Sequence, residues 1–131
     1  LRTEHCEAVG KPDTFNIPLA RTLMAHTPTF IMTARCDGRM VGYLVMIVGA
    51  TIVAEGMVSA VSAPFYVRPE HRGRVGVRLL DAAVAECWAR GADDILLYAG
   101  VAGDGPRLGT LYLRHLGAEP CGSLYRLTRE N

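Results

Sequence analysis

The residues of this chain best suited to chemistry lie together: Arg68-Pro69-Glu70-His71-Arg72-Gly73-Arg74-Val75-Gly76 follows the apolar run Phe65-Tyr66-Val67 and leads straight into an amphipathic stretch. Such a junction binds anions. Backbone N–H groups in a glycine-bearing turn, and the unpaired N–H groups of the helix turn after it, converge on one spot and favour negative charge there. Arg72 and Arg74 add the same sign beside that spot, with Arg78 one turn further on, so a phosphate or pyrophosphate is the ligand these residues select. Other reactive types carry less. Cys121 has no neighbouring base to make it a nucleophile, and His26 and His115 sit at predicted helix ends, where an imidazole favours the negative pole.

The elements that must position the turn can be read from periodicity. Residues 1 to 12 read as a loop, and Phe15, Ile17, Leu19, Leu23 and Met24 predict a helix from Asp13 to about His26, which Thr27-Pro28 ends. Thr29 to Cys36 predicts a strand, Asp37-Gly38 a type I′ hairpin turn, and Met40 to Val48 its partner. The signals from Gly49 to Glu55 conflict; Ala60 to Val67 predicts a third strand, terminated by Pro69. From Val77 to Arg90 the positions Val77, Leu80, Ala83, Val84, Cys87 and Trp88 predict one buried helix face, with Gly91 as the left-handed residue that closes it. Ile95 to Tyr98 predicts a buried strand parallel to the third, because a strand-helix-strand unit crosses over right-handedly. After a loop from Ala99 to Pro106, a helix through His115 turns Leu108, Leu111, Tyr112 and Leu116 inward and stops at Gly117; Ser123 to Thr128 predicts a last strand. The fold class is α/β, with a mixed and mostly antiparallel twisted sheet flanked by helices.

Size and charge bound the function. The chain has 131 residues, the length of one domain, and half of them are hydrophobic, so it can bury a core without metal or disulfides. Fourteen Lys and Arg against 13 Asp and Glu leave a net charge of +1, which gives no global field for nucleic acid or an acidic membrane. Cys6, Cys36, Cys87 and Cys121 lie far apart with no histidine at metal-ligand spacing, so no metal site is expected and a reduced, cytoplasmic protein is. The apolar run from Met40 to Ala54 is broken by Gly42 and Gly49 and is too short and β-like to span a bilayer. No secretory signal precedes it, and the opening Leu1 suggests a missing element upstream.

Val67-Arg68-Pro69-Glu70-His71-Arg72-Gly73-Arg74-Val75-Gly76 with Leu79-Leu80 resembles motif A of the Gcn5-related N-acetyltransferase (GNAT) superfamily, whose core signature is Q/R-x-x-G-x-G/A. The likeness in element order runs over residues 29 to 128. The Asp37–Tyr43 hairpin and the Leu113–Ala118 helix end fit the same pattern, and the Pro-Glu-x-Arg-Gly turn is most like small phage and prophage members. The turn is one residue shorter than the family's usual R-G-x-G-x-G. With His71 in the Q/R place, Gly76 takes the final place and Arg74 replaces the middle glycine; with Arg72 there, both glycine places fall on valine. The first register keeps Gly76 at the helix entry. The family's usual tyrosine, four residues before the closing glycine, is here Leu113, with Tyr112 one position earlier and ~100° round the helix.

The resemblance implies acetyl-CoA as donor and an amine, in a small molecule or at a protein lysine or N-terminus, as acceptor. A homodimer is possible, as in many relatives. Cofactor contacts are expected from Phe65, Tyr66, Val67 and Arg68 along the strand, and from Arg72, Gly73, Arg74, Val75, Gly76, Val77 and Arg78 around the turn. Tyr112 is the candidate acid for the departing thiolate. Glu55 is the candidate base for the amine, ahead of Glu70 beside the phosphate turn, and an acyl-CoA-binding or partner-binding module without catalysis is the alternative.

Overall fold

The computed structural model describes residues 17–52, 54–99 and 105–129. The expected helix start at Asp13 and Phe15, Cys6, and the glycine loop at 100–104 lie outside them. Helix α1 (Ile17–His26) is followed by strands β1 (Phe30–Cys36), β2 (Arg39–Ala50) and β3 (Val58–Val67), then a single 3₁₀ turn (Pro69–His71) and helix α2 (Arg74–Ala89). Strand β4 (Asp94–Leu96) and helix α3 (Gly105–His115) complete the order. The sheet is β1-β2-β3-β4, with antiparallel β1–β2 and β2–β3 pairs and a parallel β3–β4 pair, a mixed open sheet of the expected class.

Local chemistry explains most boundaries. Asp37 and Gly38 have φ of 51° and 78°, the two positive values that a type I′ turn needs. Helix α2 closes with Gly91 at φ 88°, its N–H donating to Trp88 O and the next, Ala92 N–H, to Cys87 O, which together form a Schellman cap. One irregularity matters for the site. Leu44 pairs with Phe65 but Met46 with Ser62, so β3 carries an extra residue at Ala63-Pro64, where proline has no N–H to give the ladder. The bulge switches which residues of β3 face the helices: Ala60 and Ser62 before it, Phe65 and Val67 after it.

The helix-covered face of the sheet holds the main core. Phe30, Leu44, Met46, Val48, Ala60 and Val67 pack there against Leu79, Leu80, Ala83 and Cys87 of α2 and Tyr112 of α3. Tyr43, Val45 and Tyr66 form a smaller cluster of their own. Cys87 is fully buried, and burial pushes its thiol up to about 11, so it is an inert packing residue.

Three expectations are corrected. Helix α2 begins at Arg74, three residues before the Val77 expected, because Gly73 turns the chain into the helix without a side-chain cap. Trp88 is half exposed: Leu80, Ala83 and Cys87 set the buried direction, and Trp88 points roughly 110° from its centre at ~100° per residue. Ser123 to Thr128 forms no strand, since alternation alone cannot make one where no strand among the described residues accepts the ladder bonds.

Candidate active site

The site grows from the end of β3. Arg68 N–H donates to Val41 O, the last bond tying this strand to β2, and Pro69 then starts the 3₁₀ turn. Arg72 Nε reaches back 2.9 Å to Val67 O, and its guanidinium lies 5.4 Å from the centre of the Tyr66 ring, so this arginine closes the turn onto the strand. Gly73 follows at φ 95° and ψ −108°, a backbone state that only glycine takes without strain. The first bond of α2 runs from Val77 N–H to Gly73 O at 3.0 Å. Arg74, Val75 and Gly76 therefore have N–H groups with no acceptor inside the helix, at its positive end. Gly76 is less constrained than Gly73, because a methyl there would meet Val67 Cγ2 at an ordinary 3.9 Å.

A cleft opens in front of these groups. Phe65 and Val67 line it from β3, and Arg72, Gly73, Gly76 and Val77 from the turn and α2. Arg107, Leu108 and Leu111 close it from α3. Arg107 was missed by motif reading, but a signal existed: an arginine in the first turn of a helix opposes the helix dipole unless an anion sits nearby. Arg74 and Arg78 are exposed on the outer side of α2, Arg68 stands at the strand end, and the Tyr66 ring belongs to the smaller cluster. None of these four lines the cleft; Arg72 does.

Strand β3, whose Phe65 and Val67 line the cleft, parts from β4 before it reaches those residues. Asp93 Oδ2 accepts from Val58 N–H at 2.8 Å and Asp94 Oδ1 from Ser59 Oγ at 2.6 Å, which pins the strands at one end. Their ladder runs only from Ser59–Asp94 to Val61–Leu96. One step further a side chain takes the place of a backbone carbonyl: buried Ser62 Oγ accepts from Tyr98 N–H at 2.8 Å. Tyr98 O in turn accepts from the Tyr112 hydroxyl at 2.9 Å. A hydroxyl interposed between two backbones holds them further apart than a ladder bond, so the edge of β3 beyond Val61 is left open toward the cleft.

Tyr112 is 5% exposed and faces the sheet, whereas Leu113 is half exposed and turned outward; burial holds the Tyr112 hydroxyl well above the ordinary tyrosine range. Glu55 is not brought to this place. It is exposed in the β2–β3 turn, and the length of β3 separates it from Gly73 by roughly 30 Å. Glu70 is exposed in the 3₁₀ turn. Among the described residues no group of three or more His, Cys, Asp or Glu could hold a metal, and no helix is long and apolar enough to cross a membrane.

Replacing Ser62 by valine tests the strand parting. The change replaces the hydroxyl by two methyl groups and leaves Tyr98 N–H without its acceptor, at a cost of about 1–3 kcal/mol for the lost bond. Calorimetric unfolding should show a lower Tm and amide exchange should show a less protected Tyr98, while Ser62→Thr keeps both near the parent values.

A mixed sheet whose β3–β4 pairing ends at Val61, with the N-terminus of α2 beside the cleft that Phe65 and Val67 line, is the frame of the site. The sequence profile of the acetyltransferase (GNAT) family matches residues 3–118, and the chain belongs to that family. Solved structures agree in fold. An aminoglycoside acetyltransferase from an uncultured soil metagenomic sample superposes with a TM-score of 0.77 at 20% identity, over 99% of this chain and 88% of that one. A ribosomal-protein-alanine N-acetyltransferase from Brucella melitensis biovar Abortus 2308 gives 0.69 at 21% identity, over 98% and 86%. Glucosamine-6-phosphate N-acetyltransferase from Arabidopsis thaliana gives 0.72 at 10% identity, over 98% and 92%. No curated protein matches the chain significantly.

Proposed function

We propose that this protein moves an acetyl group from acetyl-CoA to a primary amine by direct attack within a ternary complex. The observation that carries the reading is one cleft that joins the free N–H groups of Arg74 to Gly76, the guanidinium groups of Arg72 and Arg107, and the open edge of β3. The N–H groups and arginines suit a pyrophosphate. The strand edge suits the amides of a pantetheine arm, which would lie along it as an added strand does.

Amine attack on a thioester builds negative charge on the carbonyl oxygen, and the backbone N–H of Val67, which by strand alternation points away from β2, is the donor offered to it. Tyr112 returns a proton to the departing thiolate; with its pKa raised by burial it stays protonated across the physiological range. The amine gives its proton to water, and Glu55 takes part only at the end of a water chain, given its place in the far turn. The reading places the enzyme in the cytoplasm, where acetyl-CoA is available, and the Pro69-Glu70-His71-Arg72-Gly73 turn supports kinship with small phage and prophage enzymes. Exposed Leu124, Tyr125 and Leu127 support a homodimer.

Two measurements test this. Acetyl-CoA at 100 times its Kd should stabilise the fold by about 2.7 kcal/mol, a rise of several degrees in Tm that acetate and ATP do not give. Thiol release with a panel of aminoglycosides, amino sugars, peptides and lysine-bearing proteins should then find an acceptor, and Tyr112→Phe should lower kcat at least about tenfold. Binding without turnover on any amine would favour the non-catalytic acyl-CoA module, and unchanged turnover in Tyr112→Phe would move the acid to water.

A further inference from the structure

We propose that Asp81 and His115 are positioning residues: their bond fixes the roll of α3 against α2 and so aims Arg107 and Leu111 into the cleft. The proposal rests on the acetyl-CoA reading above, because it concerns the walls of the same cleft. His115 Nε2 lies 2.8 Å from Asp81 Oδ1, which joins the last residue of α3 to the middle of α2. A histidine at a helix C-terminus already suits the dipole there, and this one also reaches across to the opposite wall.

On α2, Gly73, Gly76 and Val77 line the cleft, and Asp81 follows Val77 by one turn, ~40° away round the helix. On α3, Leu108 and Leu111 line it, and His115 stands ~20° from the first and ~40° from the second. The two lining stripes therefore meet at this pair, which closes the groove one turn beyond them. Among the described residues, two side-chain hydrogen bonds tie α3 to the rest of the fold: the Tyr112 hydroxyl to Tyr98 O, and His115 to Asp81. Their anchors are three residues apart and so diverge by ~60° round the helix, one toward the end of β4 and one toward α2. A single anchor lets a helix swivel, and two that diverge do not. Arg107 lies eight residues from the tie, ~12 Å along the axis, so a small roll released at His115 carries its guanidinium out of the cleft.

Charge sets when the tie is tightest. The imidazole is flanked by Asp81 and, one turn before it, Arg78 on α2, with Arg107 and Arg114 of its own helix round the same hollow. Asp81 is the one acid of the four. Imidazole side chains gain charge on acidification between about pH 8 and pH 5, and a charged ring bonds a carboxylate more strongly than a neutral one. The tie therefore tightens as pH falls. The two side chains are 38% and 50% exposed, so the pair adds little to stability and its effect is read in binding.

Calorimetric titration of acetyl-CoA into the full chain tests the pair through a double-mutant cycle. Asp81→Ala and His115→Ala should each raise Kd about two- to fivefold, and the double variant no further, while Tm stays within about 2 °C of the parent. The coupling should shrink from pH 6 to pH 8.5, and His115→Lys, which keeps the charge, should preserve it at both. In the ligand-free protein, Asp81→Asn should move the NMR signals of the His115 ring and of the Arg107 to Leu111 amides. Parent-like Kd in both single variants, fully additive losses, or amide signals that stay in place would each overturn the assignment. A parent that binds no acetyl-CoA while those signals still move would overturn the functional reading and leave the tie between α2 and α3 standing.

Discussion

Gly73→Val is expected to abolish tight binding of acetyl-CoA while leaving most of the fold in place. The reason is conformational, not steric: a Cβ at residue 73 would meet no atom within 4 Å, but φ of 95° with ψ of −108° is closed to a branched side chain. Forcing valine into that state costs about 1–3 kcal/mol, and the chain relieves the strain by rotating the 72–74 backbone. Rotation there moves the N–H groups of Arg74, Val75 and Gly76 away from one another and pulls Arg72 Nε from Val67 O. Isothermal titration should show the Kd for acetyl-CoA rising by at least about tenfold, equal to 1.4 kcal/mol or more. Gly76→Ala is the control, since that site has room for a methyl, and it should bind within about threefold of the parent. Equal affinity in the parent and Gly73→Val would separate the turn from cofactor binding.

Leu80→Ala should give the largest loss of stability of any single truncation in α2. Leu80 is fully buried, on the same helix face as Ala83 and Cys87, and shares one core cluster with Leu44 and Met46 of the sheet. Removing Cγ and its two methyl groups loses their transfer energy and leaves a cavity that a strand-backed site cannot collapse, a cost of about 2–5 kcal/mol. For a domain of this size that is a fall of roughly 10–20 °C in Tm. Trp88→Ala, by contrast, should stay within about 1 kcal/mol because half of the ring is in water. A larger loss at Trp88 than at Leu80 would mean that the helix is rotated from the orientation described.

What could be read in the sequence was whatever is decided by a few adjacent residues. Asp37-Gly38 and Gly91 specify their turns by backbone freedom alone, and both adopted the expected conformation. The turn from Arg68 to Gly76 was legible for the same reason, down to its position between strand and helix. The start of α2 was not, because Gly73 offers no capping side chain to announce it. Trp88 was misplaced because a helix with apolar residues on more than one side does not state which side the sheet will cover. The site's other half was beyond local reading altogether. Arg107 enters the cleft through the packing of α3. Ser62 looks like any serine in a strand until the bulge at Ala63-Pro64 and the parting of β4 bring Tyr98 N–H to it. Glu55 stands between apolar segments in the sequence, and the β2–β3 turn puts it at the end of β3 away from the phosphate turn.

The short ladder between β3 and β4 has a consequence for how the molecule breathes. Among the described residues three residue pairs, the Asp93 N–H bond to Val58 O, two aspartate clamps and the Ser62 bond attach β4 to the rest of the sheet, whereas β2 and β3 pair over most of their length. Local opening therefore costs least along this seam, and β4 with α3 forms the part of the fold that detaches first. A ligand lying in the seam would tie both sides together, so occupancy would be converted into cooperativity: the loaded protein is expected to unfold as one unit and the empty one in two steps.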